Sequence, residues 1–221
     1  MTKNKQSVLF LGKENDDYCL KALNFCRANF GQVTYSLGKH GDVFPEAFTD
    51  WKGDIIISYL SRWIITESVI NSALQYAINF HPATPDYPGI GCTNFALYEN
   101  AEFYGATCHF MSPRVDTGAI IKVSRFRVMP SDNVKSLLER TYDYQLVLFY
   151  DIMDEILSEK KLAANGENWT RKAFLRKELN ELTIITPEMD DLEMNSRIRA
   201  TTFGDFKPFI QLNGRRFILK S

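Results

Sequence analysis

The chain has 221 residues, 45% of them hydrophobic, enough to bury a core without disulfide or metal staples. Its 26 basic and 27 acidic side chains nearly cancel, which excludes a surface built mainly to attract nucleic acid and leaves any anionic ligand to be met by local cations. The four cysteines, Cys19, Cys26, Cys92 and Cys108, form no C-x-x-C pair and show no zinc-type histidine spacing, so reduced thiols are expected, with neither a metal site nor a disulfide framework.

The start of the chain, Met1 to Ser7, is polar, and no apolar signal or spanning stretch follows, which predicts a cytoplasmic protein. Ser7 to Leu11 reads as a first strand closed by Gly12. Asp16 is placed to cap a helix reaching Phe30, with Cys19, Leu23, Cys26 and Phe30 on one face and Gly31 as the stop. Gln32 to Leu37 is a second strand. Asp54 to Leu60 is a third, whose unbroken apolar run suits burial on both faces of a parallel sheet. A helix over Thr66 to Leu74 and a fourth strand over Tyr76 to His81 continue the β-α-β rhythm, which predicts an α/β fold with a Rossmann-like, mostly parallel sheet flanked by helices. Ligands of such sheets sit at the carboxyl ends of the strands.

Prolines and glycines from Pro82 to Gly91 make the next stretch irregular, before a short helix over Phe95 to Tyr98, a strand over Gly105 to Met111 and a turn at Val115 to Gly118. Ser131 is expected to cap a long helix running to about Lys160, with Val134, Leu138, Leu146, Phe149, Ile152 and Ile156 toward the core. A further helix is expected near Arg171 to Glu178, and Thr186-Pro187-Glu188 reads as a helix start. From Pro208 to Leu219 two apolar runs flank Asn213-Gly214, the signature of a C-terminal β-hairpin. A two-stranded hairpin is marginal alone, so it must pack on a partner subunit or on the body of its own chain. The expected division is a catalytic domain over 1–200 and the hairpin extension over 201–221.

Asn79 and His81 lie two apart at the end of the fourth strand, so both project from one face, and Pro82 ends the strand beside them. A histidine and an amide there can act as proton acceptor and oxyanion donor. Alone, the pair is a weak signal and reads more readily as a strand-end histidine and a turn-forming asparagine. Three further strings follow in order: Pro88-Gly89-Ile90-Gly91, Gly105-Ala106-Thr107-Cys108-His109 and Val115-Asp116-Thr117-Gly118. With Ile78-Asn79-Phe80-His81-Pro82-Ala83, these resemble the N10-formyltetrahydrofolate-dependent formyltransferase family, whose pattern is an N-x-H-P segment, a proline and glycine loop, a G-x-T-x-H strand and a D-T-G turn. The resemblance is strong over Asp54 to Ile121.

The resemblance implies that His81 is the general base toward an attacking amine, that Asn79 stabilises the oxyanion and that Asp116 orients His81. The co-substrate it implies is N10-formyltetrahydrofolate, met by Tyr59, Leu60, Trp63, Met111 and Val115, with no metal. His109 takes the place of a strand histidine outside the catalytic trio, and His40 reads as a surface residue.

Methionyl-tRNA formyltransferases carry a further barrel and basic surface, and glycinamide ribonucleotide transformylases open with a glycine-rich phosphate loop where this chain has Gly12-Lys13-Glu14-Asn15-Asp16-Asp17. The sugar N-formyltransferases look most similar, through Tyr87 to Cys92 and the tail Ile198-Arg199-Ala200-Thr201. That implies formylation of a nucleotide-linked amino-dideoxysugar for surface polysaccharide, with dTDP-4-amino-4,6-dideoxyglucose as the first candidate and a homodimer through the hairpin. Arg171, Lys172 and Arg199 are candidates for the nucleotide's phosphates and Trp169 for its base; each also reads as an ordinary surface side chain. Another small amine as acceptor, hydrolysis of formyl-folate and a non-catalytic folate-binding protein are the alternatives.

Overall fold

The computed structural model describes residues 3–204 and 206–219; Met1, Thr2, Asp205, Lys220 and Ser221, which belong to the expected start and domain limits, lie outside the described residues. Strands β1 (Asn4–Lys13), β2 (Phe30–Gly38), β3 (Gly53–Tyr59), β4 (Ala73–His81), β5 (Phe103–Phe110) and β6 (Ile120–Arg127) form one sheet in the order β2-β1-β3-β4-β5-β6. The first four are mutually parallel, and β5 and β6 join antiparallel. This is the expected mostly parallel α/β sheet.

The period of two along β1 and β3 divides the core. Val8, Phe10, Ile55 and Ile57 face one layer with α1 (Asp17–Asn29) and α4 (Val134–Leu157), while Leu9, Leu11 and Ile56 face another with Ile65, Val69 and Ile70. All seven strand side chains are fully buried, which at about 25 cal/mol per Å² makes this pair of strands the anchor of the fold. Asp16 caps α1 through the Cys19 amide, as expected. Gly31 does not stop that helix: the chain turns extended at Phe30 and runs directly into β2.

Several elements shift from their sequence expectation where tertiary hydrogen bonds win. The helix after β3, α2 (Glu67–Ile70), is one turn long, because Ala73 already pairs with Gly53 as the start of β4. Helix α4 is capped by Asn133 in a capping box with Ser136, not by Ser131. Leu137 and Leu148 are buried there, while Leu138 and Leu146 are only half-buried. Short α3 (Cys92–Tyr98) stands as expected, but β6 carried no legible signal, since Lys122, Ser124, Arg125 and Arg127 break its apolar pattern. Helix α5 (Arg176–Leu182) begins later than expected because Phe174 is held extended against Pro88 and Ile90. Thr186-Pro187-Glu188 forms a turn, and α6 (Asp191–Thr201) starts from an Asp190 cap.

The hairpin is present as β8 (Phe209–Leu212) and β9 (Arg215–Ile218), with φ of 49° at Asn213 and 72° at Gly214, the pairing of positive angles that a two-residue turn of this hand needs. Its first strand also pairs in parallel with β7 (Ile184–Ile185), so the body of the same chain supplies one neighbour.

Candidate active site

Strand β4 ends with Asn79 and His81 on the site face, and antiparallel pairing sets His109 of β5 directly opposite Asn79. Across that pair the Asn79 amide lies 3.0 Å from His109 Nε2, and His109 Nδ1 lies 2.8 Å from the Phe110 carbonyl. A carbonyl only accepts, so His109 carries a proton on Nδ1; at most one Asn79 N–H is directed at its Nε2, so at least one stays uncommitted.

Asp116 sits between the two histidines. Its Oδ2 is 3.3 Å from His81 Nδ1 and its Oδ1 is 3.5 Å from His109 Nε2. The Gly89 N–H donates to Oδ2 at 2.8 Å. All three ionisable side chains are buried, at 5% exposure for His81, 3% for His109 and 6% for Asp116. Burial by itself raises the Asp116 carboxyl, but the charge of His81, the bond and charge of His109 and the Gly89 amide outweigh it and hold the group down at about 2. His81 Nε2 donates to the Tyr87 carbonyl at 2.9 Å, so Nδ1, facing the carboxylate, is the nitrogen with room for a further proton.

The loop from Pro82 to Gly91 is shaped to deliver that amide. Gly89 has a φ of +92°, and a Cβ there would lie 2.5 Å from the Phe174 carbonyl oxygen, so only glycine fits. Two non-glycine residues at the site also adopt left-handed backbone, Leu60 with φ 54° and Asp116 with φ 47°. Such conformations cost about 1 kcal/mol or more each and persist where surrounding structure over-determines them.

These residues open on a cavity of about 760 Å³. Asn79, His81 and Asp116 line it, as do Leu60, Trp63, Met111 and Val115. The Trp63 indole is fixed by its N–H to the Val43 carbonyl and by edge contact with Phe44. Tyr59 does not reach the cavity: its ring is wholly buried among Phe10, Phe80 and Phe149.

Arg171, Lys172, Arg199 and Trp169 are also absent from the lining. Arg171 makes a two-pronged ion pair with Glu99 over the rings of Tyr87 and Phe174. Arg199 is spent on the carbonyls of Asp132 and Met129. Lys172 is exposed. The cavity cations are Arg62, Arg114 and Arg176, none of which forms an ion pair among the described residues, and Asp116 is the one carboxylate there. His40 is exposed at the same rim. Arg62 could have been found from its place just beyond the carboxyl end of β3, and Arg114 from its place beside Asp116. Among the described residues no cluster of His, Cys, Asp and Glu could hold a metal ion, and no helix is long and apolar enough to cross a membrane.

Residues 41–151 match the family described as formyl transferase. A methionyl-tRNA formyltransferase of Chlorobium chlorochromatii is 33% identical over 98 residues, 44% of this chain and 31% of that relative, so the chain spans under a third of its length. A 4-N formyltransferase from Francisella tularensis superposes with a TM-score of 0.78 at 18% identity, covering 96% of both chains. The N-formyltransferase of Helicobacter canadensis, solved with folinic acid and dTDP-3-aminofucose, gives a TM-score of 0.75 at 18% identity over 95% of this chain and 85% of that one.

Proposed function

This chain belongs to the formyl transferase family, and from that premise we propose that it moves the formyl group of N10-formyltetrahydrofolate to the amino group of a nucleotide-linked amino-dideoxysugar. The observation that carries this reading is the contact of His81 Nδ1 with Asp116 Oδ2 at 3.3 Å, beside an Asn79 amide with an uncommitted N–H. Acyl transfer to an amine needs oxyanion stabilisation, removal of a proton from the nucleophile and a proton for the departing nitrogen. Asn79 donates to the developing oxyanion as the amine nitrogen bonds to the formyl carbon. His81 takes the proton of that nitrogen on Nδ1, where Asp116 stabilises the imidazolium, and returns a proton to N10 as the N10–formyl bond breaks.

The apolar wall of Leu60, Trp63, Met111 and Val115 suits a flat heteroaromatic ring, in a cavity of the size small ligands occupy. The remaining charge is cationic, and Arg62, Arg114 and Arg176 take the anionic groups of the two substrates in place of Arg171, Lys172 and Arg199. Support for a sugar acceptor comes from structural relatives that match nearly the whole chain, one of them solved with a dTDP-aminosugar and a formyl-folate analogue. The first acceptor is dTDP-4-amino-4,6-dideoxyglucose, a precursor of surface polysaccharide, used by a cytoplasmic homodimer. Residues 1–200 carry the chemistry, and 201–221 are the extension that joins the subunits.

The test is incubation with N10-formyltetrahydrofolate and a panel of nucleotide-linked 3-amino and 4-amino sugars, following product mass. A gain of one formyl group on a sugar is expected; folate release with no formylated sugar contradicts the reading.

A further inference from the structure

Helix α4 ends at Leu157 and α5 begins at Arg176, and the extended segment between them packs against the elements that carry the site. It is fastened to both halves of the machinery. Asn165 and Trp169 bond to the strand and turn that carry Asp116, through the Ile120 carbonyl at 2.8 Å and the Gly118 carbonyl at 2.8 Å. Thr170 and Phe174 bond to the proline and glycine loop, through Pro85 at 3.3 Å and Pro88 at 2.9 Å. Trp169 stands at the middle. Its indole meets His109 edge-on at 5.0 Å and His81 at 5.7 Å, while its Nε1–H donates to Gly118.

That carbonyl belongs to a turn with little freedom to spare. Asp116 is left-handed, and the backbone at Gly118 lies so close to Phe110 that a Cβ would fall 1.7 Å from its carbonyl oxygen. A strained turn keeps its geometry only where neighbours hold it. Thr117 ties it to Ser112 and Arg114, and Trp169 ties it to the histidines. Both histidines line the cavity and Trp169 does not, so the indole reaches their rings from outside the ligand space.

We propose that Trp169 is a positioning residue for the transfer: it holds the Asp116 turn in register with His81 and His109 and shields their rings from solvent. This rests on the reading of the site as acid–base machinery. Besides each other, the charged group facing both rings is Asp116; Cys92 at the start of α3, whose thiol burial pushes up, lines the same cavity, as do Arg62, Arg114 and Arg176.

The experiment pairs kinetics with a measurement that needs no substrate. In Trp169→Phe, which keeps a ring and loses the N–H donor, kcat falls about tenfold while both KM values stay within about twofold. The pH profile of kcat moves, and the NMR titrations of the His81 and His109 imidazoles move with it. Incorporation at position 169 of the benzothiophene analogue of tryptophan, which has sulfur in place of the N–H, gives the same result in a side chain of near-native shape and covers a poorly folded Phe variant. Unchanged kcat and unchanged histidine titrations overturn the proposal, as does a loss confined to KM or to thermal stability. If the wild-type protein transfers no formyl group, the functional reading fails, while the histidine titrations still decide the role of Trp169.

Discussion

The Oδ2 oxygen of Asp116 lies 3.3 Å from Nδ1 of His81, and both side chains are buried. The contact ties the carboxylate's ionisation to the stability of the fold. Asp116 is held at about 2 against an ordinary value of 3.8. A group depressed on folding stabilises the native state fully above its unfolded value and loses that contribution as pH falls through its folded one. The contribution is therefore complete above about pH 4, is worth about 2 kcal/mol, and is lost between about pH 4 and pH 2. Urea unfolding of the wild type and of Asp116→Asn should show a stability gap that narrows over that interval. A gap that stays constant contradicts the assignment.

Gly89 serves backbone geometry and electrostatics together, since its N–H donates to Asp116 while its φ and its closeness to Phe174 exclude a side chain. Gly89→Ala should lower Tm by at least about 3 °C, and kcat should fall with it. Calorimetry and steady-state kinetics check both; a variant of native Tm and rate contradicts the account of the loop.

Three arginines without ion-pair partners among the described residues line the cavity, and the proposed function assigns them the anionic groups of the substrates. Single Arg62→Ala, Arg114→Ala and Arg176→Ala variants should raise KM for at least one substrate by about tenfold or more, the worth of a charge-assisted hydrogen bond. Arg199→Ala and Lys172→Ala should leave KM nearly unchanged, and initial-rate kinetics on both substrates separates the two sets.

Phe217 and Ile218 on β9 are 52% and 59% exposed, an apolar end to a strand with β8 on one side. The dimer reading places a second copy there. Sedimentation at micromolar concentration should give the mass of two chains, and Phe217→Glu with Ile218→Glu should give one. A wild-type monomer contradicts the dimer.

Much of the sheet was legible because β1 and β3 are continuous apolar runs and β4 keeps its period of two up to His81. The same period placed Asn79 and His81 on one face. What was hidden depends on pairing between distant segments. Nothing local marks Asn79 and His109 as cross-strand partners, or brings Gly89 to Asp116. Arg171 read as a phosphate ligand because a lone sequence cannot reveal Glu99 waiting to neutralise it. Trp169 read as a base-stacking residue for the same reason: its partners, Gly118 and the two histidines, come from other elements.

In the proposed transfer His81 is the group that takes the proton. The most direct measurement is single-turnover transfer of a carbon-13 formyl group from N10-formyltetrahydrofolate to the amino sugar by wild type and by His81→Ala, with folate binding measured alongside. A fall of about 10²-fold to 10⁴-fold in the transfer rate is expected, with folate affinity retained. A His81→Ala protein that transfers the labelled formyl group at close to the wild-type rate contradicts that role.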